Sequence, residues 1–210
     1  MKKKIVVTGG TGRFGSHLKS IFTKHKLFFP TKDQFNILDV NSMLRYLKKT
    51  KPNIVIHLAG FSRPMELHEK DINKSINLNV IGTANVTMAC SQKNIKLIYF
   101  STNYVYPGIK GNYNEHDPLK PFNNYAWSKL GGECSVKLYQ NSLILRVCMT
   151  EKPFIHKKAF KNVKTSFMYH DEVAKILFKL LNKKGIINVG GKAQFIYDFA
   201  KKENKKVKKI

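Results

Sequence analysis

Tyr125 and Lys129 stand four residues apart in Asn124-Tyr125-Ala126-Trp127-Ser128-Lys129, a spacing that puts both on one face of a helix. A phenol with an ordinary pKa of about 10 is a poor proton donor or base at neutral pH. A neighbouring ammonium favours the phenolate and draws that pKa down toward the working range. A third group, the hydroxyl of Thr102 in Ser101-Thr102-Asn103, would hold a substrate carbonyl beside the phenol. Tyr/Lys pairs at this spacing also arise on helices by chance, so the pair carries chemistry only where other elements deliver it to a cleft.

The stretch that would build such a cleft is MKKKIVVTGGTGRFG. Ile5 to Val7 reads as a buried strand, followed by a turn in which Gly9, Gly12 and Gly15 sit three apart. In a dinucleotide-binding turn one glycine permits the reversal, one lets the backbone approach a pyrophosphate, and one lets helix and strand pack closely. The helix that follows offers unpaired N–H groups and a positive dipole end to phosphates. Glycines also mark plain loops; the strand before and the helix after make the binding reading the stronger one. No acid stands at the end of the second strand to take a ribose 2′-OH, where the residues are Phe29-Pro30-Thr31-Lys32. Lys32 and Arg13 would instead suit a 2′-phosphate, hence NADP, with NAD as the alternative; both also read as ordinary surface cations.

The elements that must position these groups alternate. A helix from Phe14 to His25 is expected to bury Phe14, Leu18, Ile21 and Phe22. Leu27–Phe29 is a second strand and Phe35–Val40 a short strand ending in an acid, with Asn41 or Ser42 capping the next helix. Ile54–Leu58 is near-continuously apolar, as in a parallel sheet covered on both faces, and ends in Ala59-Gly60. His57 lies inside it and reads as a packed core histidine. Asp71–Lys93 has helical spacing through Ile72, Ile76, Val80, Ala84 and Met88, and Gly82 within it implies tight packing, since a mid-helix glycine costs about 1 kcal/mol. Ile95–Phe100 delivers Thr102 to a strand end, where open α/β sheets bind ligands, and a helix from Asn124 to Tyr139 follows a Pro/Gly/Asn-rich loop. The pattern predicts an α/β fold, a doubly wound parallel (Rossmann) sheet with a much reduced C-terminal substrate lobe. Residues 1–150 are the dinucleotide-binding core, 151–164 and 192–210 the reduced lobe and basic tail, and 165–191 a strand-helix-strand completing the sheet.

Composition narrows the class. A chain of 210 residues with 42% apolar content affords one sizeable domain. Cys90, Cys134 and Cys148 are odd in number and unpaired in spacing, against a disulfide framework or zinc site and for a reducing compartment. No stretch reaches the length of a bilayer span, and the apolar run after Lys2-Lys3-Lys4 is too short for a signal peptide; the expected location is cytoplasmic, with no membrane partner. The net charge of +25 raises nucleic-acid binding. The lysines, however, are spread along the chain with one dense run at Lys201–Lys209, so a lysine-rich bias with solvated faces is expected instead.

The motifs TGGTGRFG, HLAG, NLNVIGT, STNYVYPG and YAWSK, in this order, resemble the extended short-chain dehydrogenase/reductase superfamily, and within it the dTDP-4-dehydrorhamnose reductase group. The likeness covers residues 4–147 and, more loosely, TSFMYHDEVAKIL and GIINVGG. It implies Thr102, Tyr125 and Lys129 as catalytic residues, with Asn79 an architectural helper near the lysine. It implies cofactor contacts from Gly9, Gly12, Arg13, Phe14, Gly15 and Lys32, from Asp39 and Val40 at the adenine, from Leu58, Ala59 and Gly60, and from Tyr125 and Lys129. The implied activity is NAD(P)H-dependent reduction of a 4-keto-6-deoxy sugar nucleotide. The alternatives are an NAD-dependent sugar-nucleotide epimerase and a non-catalytic NADP-binding regulatory subunit. Pairing of the two long helices between subunits would make a homodimer. Asn103-Tyr104 stands where dehydratases of the superfamily carry an Asp-Glu pair, which points away from dehydration.

Overall fold

The structure is a computed structural model that describes residues 1–210. In chain order the elements are β1 (Lys4–Thr8), α1 (Arg13–Ser20), β2 (Lys26–Phe28), α2 (Val40–Thr50), β3 (Ile54–His57), α3 (Leu67–Lys70) and α4 (Ile72–Ser75). A π-helical turn (Ile76–Ile81) runs without a break into α5 (Gly82–Gln92), then β4 (Lys96–Thr102), a 3-10 turn (Asn103–Val105), α6 (Asn124–Lys137) and β5 (Ser142–Val147). The remainder holds β6 (Met149–Thr150), β7 (Lys158–Ala159), β8 (Lys164–Thr165), β9 (Met168–Tyr169), α7 (His170–Leu180), β10 (Gly185–Val189), β11 (Gln194–Phe195), α8 (Ile196–Glu203) and β12 (Lys208–Lys209).

Six strands form one parallel sheet in the order β10-β5-β4-β3-β1-β2. The register of its centre aligns Val6 with Val55 and Val55 with Leu97. Ile5, Val6, Val7, Ile54, Val55, Ile56, Leu97, Ile98, Leu143, Ile144 and Leu145 are all at most 1% exposed, which is why these strands read as unbroken apolar runs. Each such side chain contributes roughly 1.5–3 kcal/mol on burial. The chain leaves β1 for β2 on one side and returns to β3 on the other, so the switch point lies between β1 and β3, where such sheets bind ligands at their carboxyl ends.

The chain divides into two compact units, Met1–Arg146 with Lys183–Asn188, and Val147–Asn182 with Val189–Ile210. The second unit pairs β6 with β9 and β7 with β12 in parallel, and β8 with β11 antiparallel. Phe154, Ala159, Phe199, Ala200 and Val207 form its core. The basic tail expected at 192–210 is thus a strand-helix-strand, because Phe199, Ala200 and Val207 are buried among its lysines. Of the strand-helix-strand expected at 165–191, β10 joins the main sheet, while the two-residue β9 pairs with β6.

Two local expectations are corrected. Helix α1 stops at Ser20 because the chain must reach the start of β2, where Lys26 N–H bonds Lys3 O at 2.8 Å; Phe22, past its end, is 99% exposed. Phe35–Val40 forms no strand: Asp39 is the N-cap of α2, accepting from Ser42 N–H at 3.2 Å, in place of the expected Asn41 or Ser42. Of the helical line Ile72, Ile76, Val80, Ala84 and Met88, Ile72, Ile76 and Met88 are exposed and Val80 and Ala84 half-buried, while Ser75, Asn79, Thr83 and Val86 are buried. The tight packing expected at Gly82 is present, since a Cβ there would meet Ile37 Cδ1 at 2.7 Å.

Candidate active site

The turn after β1 is closed by Gly12 N–H donating to Gly9 O at 2.9 Å. Gly9 has φ +70°, and a Cβ on it would meet Ala59 N at 2.7 Å. A Cβ on Gly15 would fall onto the Gly9 carbonyl. The first turn of α1 therefore lies directly against the loop, and its N-cap, Gly12, makes no side-chain cap. First-turn N–H groups without a cap form the cradle that a pyrophosphate needs. These residues fit a dinucleotide.

Thr8, which sequence reasoning passed over, ties this turn to the end of β3. Its Oγ1 accepts from Leu58 N–H and Ala59 N–H, both at 3.1 Å, and lies 2.9 Å from His57 Nδ1. His57 Nε2 reaches Thr83 Oγ1 at 3.2 Å, and the ring is fully buried. Burial first, and the Lys129 charge second, hold its pKa down to about 3. It is the core histidine expected.

The other expected cofactor residues divide. Arg13 Nη2 donates to Ser62 Oγ at 3.4 Å. Lys32 is exposed beyond β2, and Lys19 sits 5.5 Å over the Phe29 ring at the same strand end. Phe14 turns its ring inward onto Phe100, with centroids 5.2 Å apart, so its side chain serves the core. Asp39 caps α2 and lies 3.9 Å from Arg45; Val40 packs on the core. Gly60 sits beneath Asn79, whose Oδ1 a Cβ on the glycine would meet at 2.7 Å.

Thr102 ends β4, and its Oγ1 accepts from Tyr104 N–H at 3.2 Å. Tyr125 lies in the first turn of α6, which Asn123 caps by accepting from Ala126 N–H at 2.8 Å. The Tyr125 phenol lies beside the Thr102 side chain, which favours its ionised form. Burial and then the neighbouring Tyr104 push its pKa up to about 12, against the Thr102 side chain and the charges of Arg63 and Arg13. This overturns the expectation that Lys129 draws the phenol down. Lys129 is 9% exposed, and its Nζ rests 4.1 Å over the Tyr99 ring in the core. Burial lowers its pKa to about 7, with Glu133 acting the other way. Shared helix face did not mean shared contact. The cations acting on the phenol are Arg63 and Arg13, for which the spacing held no signal.

Asn79, in the π-helical turn, is 1% exposed and holds both peptide groups of Phe61. Its Oδ1 accepts from Phe61 N–H at 2.7 Å, and its Nδ2 donates to Phe61 O at 2.8 Å and Ser128 Oγ at 2.9 Å. Ser128 Oγ donates to Tyr125 O at 2.7 Å. Asn79 thus stands next to Lys129 in the chain of contacts and bonds its neighbour Ser128. His68, also missed, stacks on Phe61 at 4.2 Å, puts its ring 5.1 Å from Tyr125, and has Nδ1 2.8 Å from Ser75 Oγ.

The family described as "RmlD substrate binding domain" matches residues 2–162. The chain is similar to methionine adenosyltransferase 2 subunit beta of Pongo abelii, 29% identical over 143 residues, covering 64% of this chain and 42% of that one. It is similar to the dTDP-4-dehydrorhamnose reductase of Aggregatibacter actinomycetemcomitans, 27% identical over 152 residues, covering 70% and 51%. Among solved structures, the dTDP-4-dehydrorhamnose reductase of Bacillus anthracis in complex with NADP has a TM-score of 0.89 at 24% identity, covering 100% of this chain and 84% of that one. The chain spans about half the length of the curated relatives it matches.

Proposed function

The chain belongs to the RmlD substrate binding domain family, and from that premise we propose that it reduces a 4-keto-6-deoxy sugar nucleotide with NADPH. The observation that carries this reading is the placement of the Tyr125 phenol beside the Thr102 side chain at the carboxyl edge of the sheet, with Arg13 of the glycine turn acting on the same phenol. The turn and the first N–H groups of α1 would hold the pyrophosphate, and Arg13, Lys19 and Lys32 would face the 2′-phosphate. When bound, the cofactor supplies a hydride to the carbonyl carbon.

Thr102 orients the carbonyl oxygen by hydrogen bonding. Tyr125, held near 12, stays protonated at neutral pH and gives its proton to that oxygen as it gains charge. Arg63 and Arg13 offset the phenolate left behind. Lys129, packed over Tyr99, holds α6 and with it Tyr125 in place. Stopped-flow absorbance at the NADPH band with 4-keto-6-deoxy sugar nucleotides tests the proposal. Cofactor that binds but is never oxidised across such a panel sinks it.

The Lys129 position over Tyr99 and the similarity to methionine adenosyltransferase beta subunits support a second reading, a non-catalytic NADP-binding regulatory subunit. A protein that retains NADP, turns over no sugar nucleotide and co-purifies with a methionine adenosyltransferase would decide for it. Under either reading the outward apolar line Ile72, Ile76, Ile81 and Met88, 42–54% exposed, supports a homodimer, which light scattering at graded concentrations tests.

A further inference from the structure

The lysines that look scattered along the chain are gathered by the topology. All six strands of the main sheet run parallel, so the segments leading into them meet at one edge. Those segments are Lys2–Lys4, Phe22–Lys26, Lys48–Asn53, Lys93–Lys96, Lys137–Ser142 and Lys183–Gly185. Together they hold thirteen lysines and neither Asp nor Glu. With strands about 4.8 Å apart the edge is roughly 24 Å long. Contacts tie its parts together: Lys3 N–H donates to His25 Nδ1 at 3.2 Å, and Lys96 Nζ donates to Lys183 O at 2.6 Å. The charges are close enough to act on one another. Burial and then Lys184 and Lys3 lower the Lys96 pKa, and burial and then Lys24 and Lys3 lower that of His25.

Two large apolar side chains stand out among these cations. Phe22 is 99% exposed and Leu138 is 87% exposed, flanked by Lys24 and Lys137 respectively. Beside Leu138 an open depression of about 570 Å3 is lined by Asn94, Tyr139, Gln140, Asn141 and Lys184. It combines one ammonium with amide donors beside an apolar tip. Phosphates of a nucleic acid would use the lysines, and an exposed leucine and phenylalanine would contribute there only by wedging between or stacking on bases. A bilayer surface uses both, since anionic headgroups attract lysines while protruding apolar side chains enter the acyl boundary.

We propose that this edge is a docking surface for anionic lipid membranes, with Phe22 and Leu138 inserting and a headgroup phosphate seated in the depression beside Lys184. The protein lies on the bilayer and does not cross it, consistent with the lack of any helix long and apolar enough to do so. β4 runs from Lys96 at this edge to Thr102 at the candidate site, about 20 Å away, so docking leaves that site facing the aqueous phase.

Vesicle co-sedimentation of the full chain tests this, with phosphatidylcholine alone and phosphatidylcholine mixed with phosphatidylserine. Binding is expected to the mixed vesicles alone and to weaken with salt. Each of Lys24→Gln, Lys26→Gln, Lys183→Gln and Lys184→Gln is expected to lower partitioning about fivefold. Phe22→Ser/Leu138→Ser is expected to abolish the binding that survives at high salt. Melting temperatures of all variants should match the parent, since every changed side chain is exposed. Equal binding to both vesicle types overturns the proposal. So does a duplex DNA that displaces the protein from vesicles with an affinity untouched by Phe22→Ser/Leu138→Ser, an outcome that assigns the edge to nucleic acid.

Discussion

Lys129 Nζ lies 4.1 Å over the Tyr99 ring, and the Tyr99 hydroxyl donates back to Lys129 O at 3.2 Å. The pair locks α6 onto β4 and buries an ammonium against a π face, an attraction that partly offsets desolvation. Desolvation still wins, since the amine is held at about 7. The unfolded chain, with an ordinary lysine at 10.5, therefore binds more protons between these values, and stability from this group rises with pH across that window. Below pH 7 the penalty is fully present. Lys129→Met removes it, so the variant's stability relative to the parent should be greatest below pH 7 and fade as pH approaches 10.5. Urea unfolding at several pH values reads this; parallel curves for the two proteins would contradict it.

One turn further along α6, Glu133 meets Arg146 at the end of β5. Nη2 donates to Oε2 at 2.8 Å and Nε to Oε1 at 3.1 Å, with both side chains at most 4% exposed. Arg146 Nη1 also donates to Tyr106 Oη at 2.8 Å, and Tyr106 Oη to Asn188 Oδ1 at 2.9 Å, which anchors the loop after β4 to β10. Glu133→Ala would leave a guanidinium buried and unpaired, at a cost of about 3–5 kcal/mol. A fall in melting temperature of roughly 10 °C is expected, with Glu133→Gln, which keeps one acceptor oxygen for the guanidinium, losing less.

Much of the sheet was legible because strands buried on both faces must be apolar throughout, as Ile54–Ile56 and Leu143–Leu145 are. The glycine turn was legible because its spacing answers a backbone need. What escaped depends on direction in space. Asp39 reads equally as a strand end or a helix cap, and only the position of Ser42 decides. The line Ile72, Ile76, Met88 has helical period, but period does not say which face is covered, and here the buried face is the polar one around Asn79. Lys129 and Tyr125 share a face by number, yet one points into the core and the other to Thr102. Arg63 lies in a loop and His68 in the single turn of α3, too short to show periodicity, so nothing linked them to Tyr125 before the chain folded.

The loop geometry makes Gly15 the most sensitive position for cofactor binding. A Cβ there collides with the Gly9 carbonyl, which is backbone and can yield only by opening the turn. Gly15→Ala should abolish the thermal shift given by NADP while the fold persists, because ligand stabilisation depends on native-state affinity alone. A shift equal to the parent's would remove the glycine turn from the site.

Asn79 supplies the last test, since it joins stability to the candidate chemistry. Its amide satisfies both buried peptide groups of Phe61 and, through Ser128, touches the carbonyl of Tyr125. Asn79→Leu fills the volume but leaves an N–H and a C=O unpaired, each costing about 1–3 kcal/mol. Phe61 would shift, and with it His68, whose ring stacks on Phe61 and meets Tyr125 edge-on. The expected outcome is a loss of several kcal/mol in urea unfolding. With it should come a lower kcat for sugar-nucleotide reduction at unchanged KM, because the phenol is displaced while the glycine turn is not. Asn79→Asp keeps the acceptor for Phe61 N–H and loses the donor to Phe61 O and Ser128, so it should fall between parent and Asn79→Leu on both axes. If stability falls and kcat does not, Asn79 braces the fold without positioning Tyr125.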